Sequence, residues 1–291
     1  MSRRFKVGVQ LHPQLCSVDE LRQAWRAVDA LGVDSIWIWD HFFPLYGDSE
    51  GAHYECWTLL AAMAAETRAA TIGPLVNCCS YRSADLVADM ARTVDHISGG
   101  RFVLGLGGGW SERDYHEYGY RFASDIERLQ SLEQAIGRVR ARLHALNPPP
   151  KGPMPLLVGG AGEKVALRIV AQHAQLWNTF GTPDLYARKN AVLTDWCTRL
   201  GRDPAEIERT VLLDDPDWPD GDIANYVVEP ATIEAFLEAG AQHMIVACGH
   251  PFRLESVHRL LELSEAGPRR GPGRDAGAAG TAVPTMEGGG T

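Results

Sequence analysis

The sequence predicts an α/β protein of the (β/α)8 TIM-barrel class, on three observations. Short apolar runs rich in Val, Ile and Leu alternate with longer amphipathic stretches, the pattern of a parallel sheet covered by helices. Eight such alternations fit in about 260 residues, close to the roughly 250 usual for this barrel and more than an open doubly wound sheet needs. Four chemically unusual segments each follow an apolar run, which on a barrel gathers them at the carboxyl ends of the strands.

The first run is Phe5 to Leu11. Ser17-Val18-Asp19-Glu20 then has the form of a capping box, opening a helix with Val18, Leu21, Trp25, Val28 and Leu31 on one face and Gly32 as its stop. A second strand, Asp34 to Trp39, runs into Asp40-His41, and a helix is expected around Tyr54 to Arg68. Ala70 to Val76 makes the third strand and Ser83 to Ile97 the third helix, with Leu86, Val87, Met90, Val94 and Ile97 facing inward. The fourth strand, Arg101 to Leu106, ends in Gly107-Gly108-Gly109. A long helical region follows up to Leu146, broken by Asn147-Pro148-Pro149-Pro150.

The fifth strand, Pro155 to Val158, ends in Gly159-Gly160-Ala161-Gly162 and opens a helix from Glu163 to Ala174. Gln175 to Asn178 is a short sixth strand, and Thr182-Pro183 caps a helix reaching Arg199. Arg209 to Leu213, a helix from Ala231 to Ala239, His243 to Cys248 and a helix from Arg253 to Leu263 complete the count. Residues 1–266 therefore form one barrel domain. Residues 267–291, with eight glycines, three prolines and little to bury, are expected to be a disordered tail.

With 28 basic against 37 acidic residues the formal net charge is −9, so neither nucleic acid nor an anionic membrane is an expected partner. No run approaches the roughly 20 apolar residues of a membrane span, and Met1 to Lys6 leads directly into a strand, so a cytoplasmic protein is expected. The six cysteines, Cys16, Cys56, Cys78, Cys79, Cys197 and Cys248, contain no C-x-x-C pair and read as reduced thiols with no zinc site.

Gly159, Gly160 and Gly162 between a strand and a helix offer backbone N–H groups to a phosphate, with Lys164 adding charge; a plain tight turn is the competing reading. The cluster has neither the Walker nor the dinucleotide spacing. Gly107, Gly108 and Gly109 strip side chains from a strand end, letting a flat ligand approach the backbone. The two clusters together favour a phosphorylated cofactor. Asp40 and His41 put a carboxylate and an imidazole at the same mouth, where His41 is suited to moving protons. His12, His53, His116 and His250 fall in expected loops but form no metal-ligand pattern, so no metal site is assigned. Cys78 and Cys79, in the stretch from Asn77 to Arg82, read as structural thiols.

The segments V-G-V-Q-L, D-S-I-W-I-W-D-H-F, I-G-P-L-V-N-C, A-R-T-V-D-H-I-S-G-G-R, L-G-L-G-G-G-W and V-G-G-A-G-E-K, in this order, carry a resemblance. From Phe5 to about Leu263 the chain resembles the luciferase-like monooxygenase superfamily, most closely its coenzyme F420-dependent oxidoreductases. The resemblance implies a TIM barrel holding a reduced flavin or deazaflavin at the strand carboxyl ends, with a cis non-prolyl peptide at Leu75-Val76. It places Asp40 and His41 near the ring, Leu75, Val76 and Cys78 against it, Gly107 and Gly108 on the chromophore side, and Gly159, Gly160, Gly162 and Lys164 at the phosphate.

In the sugar-phosphate dehydrogenase branch a glutamate follows the fourth-strand glycines; here that place is Trp110. This departure argues against a sugar phosphate and makes Trp110, with His12, a wall of an apolar or aromatic substrate pocket. Glu112, His12 or a water are candidates for the missing acid. The expected function is F420-dependent hydride transfer to or from a small organic substrate. FMN-dependent monooxygenation and a non-catalytic cofactor-binding protein are the alternatives, and a homodimer is implied. The loops Phe43 to His53 and Asp214 to Tyr226 are expected to select the substrate.

Overall fold

Near-continuous apolar runs let both faces of the strands be buried, one inside a barrel and one under helices. Strand β1 (Lys6–Leu11) pairs in parallel with β2 (Ser35–Ile38) on one side and with β9 (His243–Cys248) on the other, so the first and last strands are neighbours and the sheet curls round. The structure, a computed structural model, describes residues 3–213 and 227–265. The expected tail from Gly267 and the Asp214 to Tyr226 loop lie outside the described residues.

The remaining strands are β3 (Thr71–Pro74), β4 (Asn77–Cys78), β5 (Leu104–Gly107), β6 (Leu156–Gly159), β7 (Leu176–Thr179) and β8 (Glu208–Leu213), ordered β3-β2-β1-β9-β8-β7-β6-β5-β4 with every pairing parallel. The eight expected strands become nine because the third is interrupted: Leu75-Val76 is a cis peptide, and the chain before it pairs with β2 while the chain after it pairs with β5. The circle closes at Ile72, whose N–H donates to Arg101 O (3.0 Å) and whose carbonyl accepts from Val103 N–H (2.9 Å).

Trp37, Leu75, Val103, Leu157, Leu176 and Ile245 fill the barrel, while their neighbours Ile36, Ile38, Val158, Met244 and Val246 face the helical layer. That layer consists of α1 (Val18–Ala30), α2 (Cys56–Glu66), α3 (Ala84–Ser98), α4 (Glu112–Glu117), α5 (Asp125–Ala145), α6 (Ala166–His173), α7 (Pro183–Arg199), α8 (Pro230–Glu238) and α9 (Glu255–Glu265). Among the described residues no helix is long and apolar enough to cross a membrane.

The capping box expected at Ser17 and Glu20 forms, each side chain accepting from the other residue's backbone N–H. The single long helical region expected after the glycine triplet is two helices. Gly119 takes the left-handed conformation (φ 70°), and a second reciprocal box between Ser124 and Glu127 starts α5. The inward face of α3 is also rotated from expectation. Val87, Ala88, Ala91, Val94, Asp95 and Ser98 are buried, whereas Leu86 and Ile97 are exposed, because small side chains let α3 pack against its neighbours. Asp95 accepts the N–H groups of Lys151 and Gly152 (2.6 and 3.0 Å), and Arg101 donates to the carbonyls of Ala64, Thr67, Ala70 and Ser98. The D-H-I-S-G-G-R segment is therefore a scaffold tie, in which Asp95 Oδ2 and the Arg101 guanidinium find backbone partners.

Candidate active site

Beyond β2 the chain passes over the barrel rim as Trp39-Asp40-His41. Asp40 is buried, and its Oδ2 accepts from the Cys78 N–H (3.1 Å) and from Arg82 Nη1 (2.8 Å). The other arm of Arg82 reaches Glu55 (2.7 Å), which also caps α2 by accepting from the N–H groups of Trp57 and Thr58. Burial pushes the Asp40 carboxyl above the usual carboxylate range, against the pull of Arg82. Asp40 is thus placed beneath the rim, binding the end of β2 to β4.

His41 is held from outside the barrel by a residue that the sequence did not single out. Its Nδ1 lies 2.6 Å from Oδ2 of Asp114 on α4, and the same carboxylate accepts from the Tyr81 hydroxyl (3.0 Å) and the Phe42 N–H (3.1 Å). Asp114 is fully buried. Burial alone would raise its pKa, but these donors, His41 foremost, hold it below its ordinary value. The Nε2 of His41 makes no hydrogen bond among the described residues. Glu112, a candidate acid, is exposed on the other face of α4 and pairs with His116 (3.7 Å), which lies on this helix and not in a loop. One short helix separates the two carboxylates because only its Asp114 and Tyr115 face inward.

Around His41 stands a wall of rings. His12 stacks on Trp39 at 4.2 Å, with its Nδ1 2.7 Å from the Tyr46 hydroxyl. Trp39 Nε1 donates to His53 Nε2 (3.0 Å). Burial lowers the pKa of His12 to about 3 and, with the charge of His41 as a smaller cause, that of His53 to about 4, so both imidazoles are neutral at physiological pH. Trp110 sets its ring 5.3 Å from that of His41 and is 55% exposed, at the open edge of the wall. Trp39 and Asp114 are site residues that sequence reasoning missed; Tyr46 and His53 fall in the Phe43 to His53 loop expected to select the substrate, and Tyr81 in the stretch from Asn77 to Arg82.

At the floor, Gln10 Nε2 donates to the carbonyl of Leu75 (2.9 Å), and Leu75 belongs to the barrel's inner core. Val76 lies against Gly107 and Gly159: a Cβ at either would stand 2.5 or 3.1 Å from its methyl groups. Gly107 is therefore required by Val76, whereas a Cβ at Gly108 would meet nothing closer than 3.7 Å. The Cys78 thiol does not point at this floor; it packs between Tyr81 and Tyr115, 3.3 Å from the Tyr115 hydroxyl, so only its backbone faces the rim. Burial pushes this thiol's pKa up, as fits a structural cysteine.

The helix expected from Glu163 begins at Ala166, and α6 has no side-chain cap. The N–H groups of residues 161–165 have no hydrogen-bond partner among the described residues, and a Cβ at Gly160 or Gly162 would meet only Ala166, at 3.4 and 3.5 Å. Lys164 is exposed beside this cradle, while Glu163 is turned away onto Lys189 (2.8 Å). Of the five buried polar atoms without partners among the described residues, His12 Nε2 and Asp40 Oδ1 follow the carboxyl ends of β1 and β2, while Asn77 Nδ2 belongs to a side chain held by Trp57 of α2 (2.9 Å). A donor-lined cradle after β6 and unsatisfied polar atoms after β1 and β2, all at the carboxyl ends of the strands, fit a phosphorylated ring cofactor. No group of three or more His, Cys, Asp or Glu among the described residues could hold a metal ion.

Known proteins share this architecture. A 4-hydroxyprotoasukamycin monooxygenase of Streptomyces nodosus subsp. asukaensis is 28% identical over 173 residues, 54% of this chain and 45% of that protein. An F420-dependent glucose-6-phosphate dehydrogenase of Amycolatopsis mediterranei (strain U-32) is 28% identical over 138 residues, 46% of this chain and 40% of that protein. The chain spans about half the length, or less, of these curated relatives. A solved F420-dependent secondary alcohol dehydrogenase, in complex with an F420-acetone adduct, superposes with a TM-score of 0.75 at 18% identity, over 87% of this chain and 96% of that one, a likeness of fold. Residues 2–213, from before β1 to the end of β8, match the model of the luciferase-like monooxygenases, and the chain belongs to that family.

Proposed function

We propose that the chain is a coenzyme F420-dependent oxidoreductase that moves a hydride between the deazaflavin and a small, uncharged organic substrate. The observation that carries this reading is His41: its Nδ1 is tied to Asp114, its Nε2 is open, and it stands after β2 at the strand mouth against the rings of Trp39 and Trp110. The F420-dependent relative and the F420-dependent solved structure support the deazaflavin.

The residues divide the work as follows. The free N–H groups of residues 161–165, with Gly160, Gly162 and Lys164, would hold the phosphate, and Val76 with its glycine floor would back the ring. When bound, the deazaflavin supplies two-electron exchange of hydride at carbon. With an alcohol substrate, Nε2 of His41 would take the hydroxyl proton in the oxidising direction and return it in the reducing one. Trp39, Tyr46 and Trp110 exclude water and orient a flat or apolar substrate.

The flanking guanidiniums are committed, Arg82 to Asp40 and Glu55, and Arg113 to Glu50, Ser49 O and the face of Phe43. Among the described residues the wall therefore offers no free cation to a substrate phosphate, which supports an alcohol, ketone, imine or enone over a sugar phosphate. FMN-dependent monooxygenation is the second reading, supported by the monooxygenase relative.

Titration of the purified protein with coenzyme F420 and, separately, with FMN tests the choice by fluorescence. Tight F420 and weak FMN binding, followed by turnover on an alcohol, imine and enone panel, is the expected result. The reverse order of affinities would move the chain to the monooxygenases. Binding without turnover would favour a cofactor-binding protein.

A further inference from the structure

Resting on the reading of His41 as the proton-handling group, we propose that Asp114 is its positioning residue. It fixes the imidazole as the Nδ1–H tautomer, and its negative charge balances the one His41 gains when Nε2 takes the substrate's proton. Asp114 is fully buried and its carboxylate is the common acceptor of three donors: Phe42 N–H on Oδ1, and Tyr81 O–H and His41 on Oδ2. An ionised carboxylate only accepts, so the nitrogen facing it must carry hydrogen, and the lone pair of a neutral His41 is left on Nε2. That nitrogen has no partner among the described residues, as a group awaiting a substrate would have.

The placement of the carboxylate is over-determined. Tyr115, the next residue on α4, anchors the helix through the Gly108 carbonyl (3.3 Å) and the Cys78 thiol (3.3 Å), while Tyr81 and Phe42 approach Asp114 from the segments after β4 and β2. The other ionisable groups whose charge reaches His41 are Asp40, beneath the rim, and His53, across Trp39. Neither touches the ring of His41, so the choice of tautomer falls to Asp114. A carboxylate that served only to tie α4 to the rim could take its bonds from Tyr81 and Phe42 alone; the third bond, at 2.6 Å to the imidazole, is what ties it to proton chemistry.

The test uses the whole chain without cofactor. Protein labelled with nitrogen-15 in its histidine rings is examined by NMR at neutral and alkaline pH, with the His41 signals identified by their absence in His41→Gln. The expected result is Nδ1 protonated throughout in the wild type, and a shift toward the Nε2–H form in Asp114→Asn. In turnover, Asp114→Asn should lower kcat by about 100-fold or more with KM and cofactor affinity little changed, and Asp114→Glu should recover part of the loss. Asp114→Ser, which also removes the carboxylate, should shift the tautomer in the same direction and serves as the readout should Asp114→Asn fail to fold. An Nε2–H tautomer in the wild type, or tautomer populations unmoved by Asp114→Asn or Asp114→Ser, overturns the proposal. The expected tautomer with no F420-dependent turnover would uphold Asp114 as positioning residue and overturn the F420 reading instead.

Discussion

Val76 fills the space that a side chain at Gly107 would need. A Cβ built on Gly107 stands 2.5 Å from one methyl of Val76, and one on Gly159 stands 3.1 Å from the other, so β5 and β6 form a trough for a single isopropyl group at the floor of the site. Gly107→Ala should therefore destabilise the fold by about 1–3 kcal/mol through overpacking. Val76→Ala should make the same substitution tolerable. In a double-mutant cycle read by urea denaturation the two changes should couple by about 0.5–3 kcal/mol. Additive effects would mean that the backbone yields elsewhere.

Much of this architecture is legible in the sequence because it is local. The β2 strand ends one residue before the polar pair Asp40-His41, and the box at Ser17/Glu20 and the N-cap at Thr182 directly precede the helix starts. The division of α4 from α5 was also written there, in Gly119 and in the Ser124-x-x-Glu127 spacing, but lay within a long polar stretch that reads as continuous helix. Asp114 was not legible. Its partner is 73 residues away, and nothing local distinguishes it from exposed Glu112 two positions earlier. The neutrality of His12 and His53 is likewise set by burial against residues from other loops, which no spacing reveals.

Gly162 is the sharper probe of the phosphate cradle. Gly160 has φ 145°, so a side chain there strains the backbone whatever it does to a ligand. A Cβ at Gly162 is in ordinary contact with Ala166 at 3.5 Å. Gly162→Asp should leave the melting temperature nearly unchanged and weaken cofactor binding about tenfold or more, because it sets an anion among the uncapped N–H groups. Gly160→Asp should lose both affinity and stability. Undiminished binding in Gly162→Asp, measured by fluorescence titration, would place the phosphate elsewhere.

The opposite end of the barrel carries a chain of hydrogen bonds that runs from the buried Trp37 to the surface and holds one carboxylate below its ordinary pKa. Trp37 Nε1 donates to Ser35 Oγ (2.6 Å), which lies 2.8 Å from His243 Nε2; Nδ1 of that histidine is 2.8 Å from Glu208, itself 2.7 Å from Lys6 Nζ. Burial would raise the Glu208 pKa, but the hydrogen bond and charge of His243, with Lys6, hold it near 2, below the ordinary 4.5. A depressed carboxyl stabilises the fold above its unfolded pKa, and this contribution is lost as pH falls through the folded value. Glu208→Gln should cost on the order of 2 kcal/mol at neutral pH and flatten the loss of stability between about pH 4.5 and 2 in urea melts. A wild-type slope surviving in the variant would assign the loss of stability in acid to other groups.

Asp40 should show the opposite sign. Its carboxyl is pushed up by burial even with Arg82 2.8 Å away, so removing that guanidinium strands a buried charge. Arg82→Leu is expected to cost about 3–5 kcal/mol at neutral pH, far more than loss of a surface pair. A carboxyl whose folded pKa lies above its unfolded value favours folding when protonated, and that advantage is lost as pH rises through the folded pKa. The deficit of Arg82→Leu relative to the wild type should therefore shrink on mild acidification, and adding Asp40→Asn should recover part of it at neutral pH. Arg82→Lys cannot span both Asp40 and Glu55 as the forked guanidinium does and should fall between. A deficit independent of pH, unrelieved by Asp40→Asn, would mean that Arg82 acts through packing against Phe42, over whose ring its guanidinium lies at 6.0 Å.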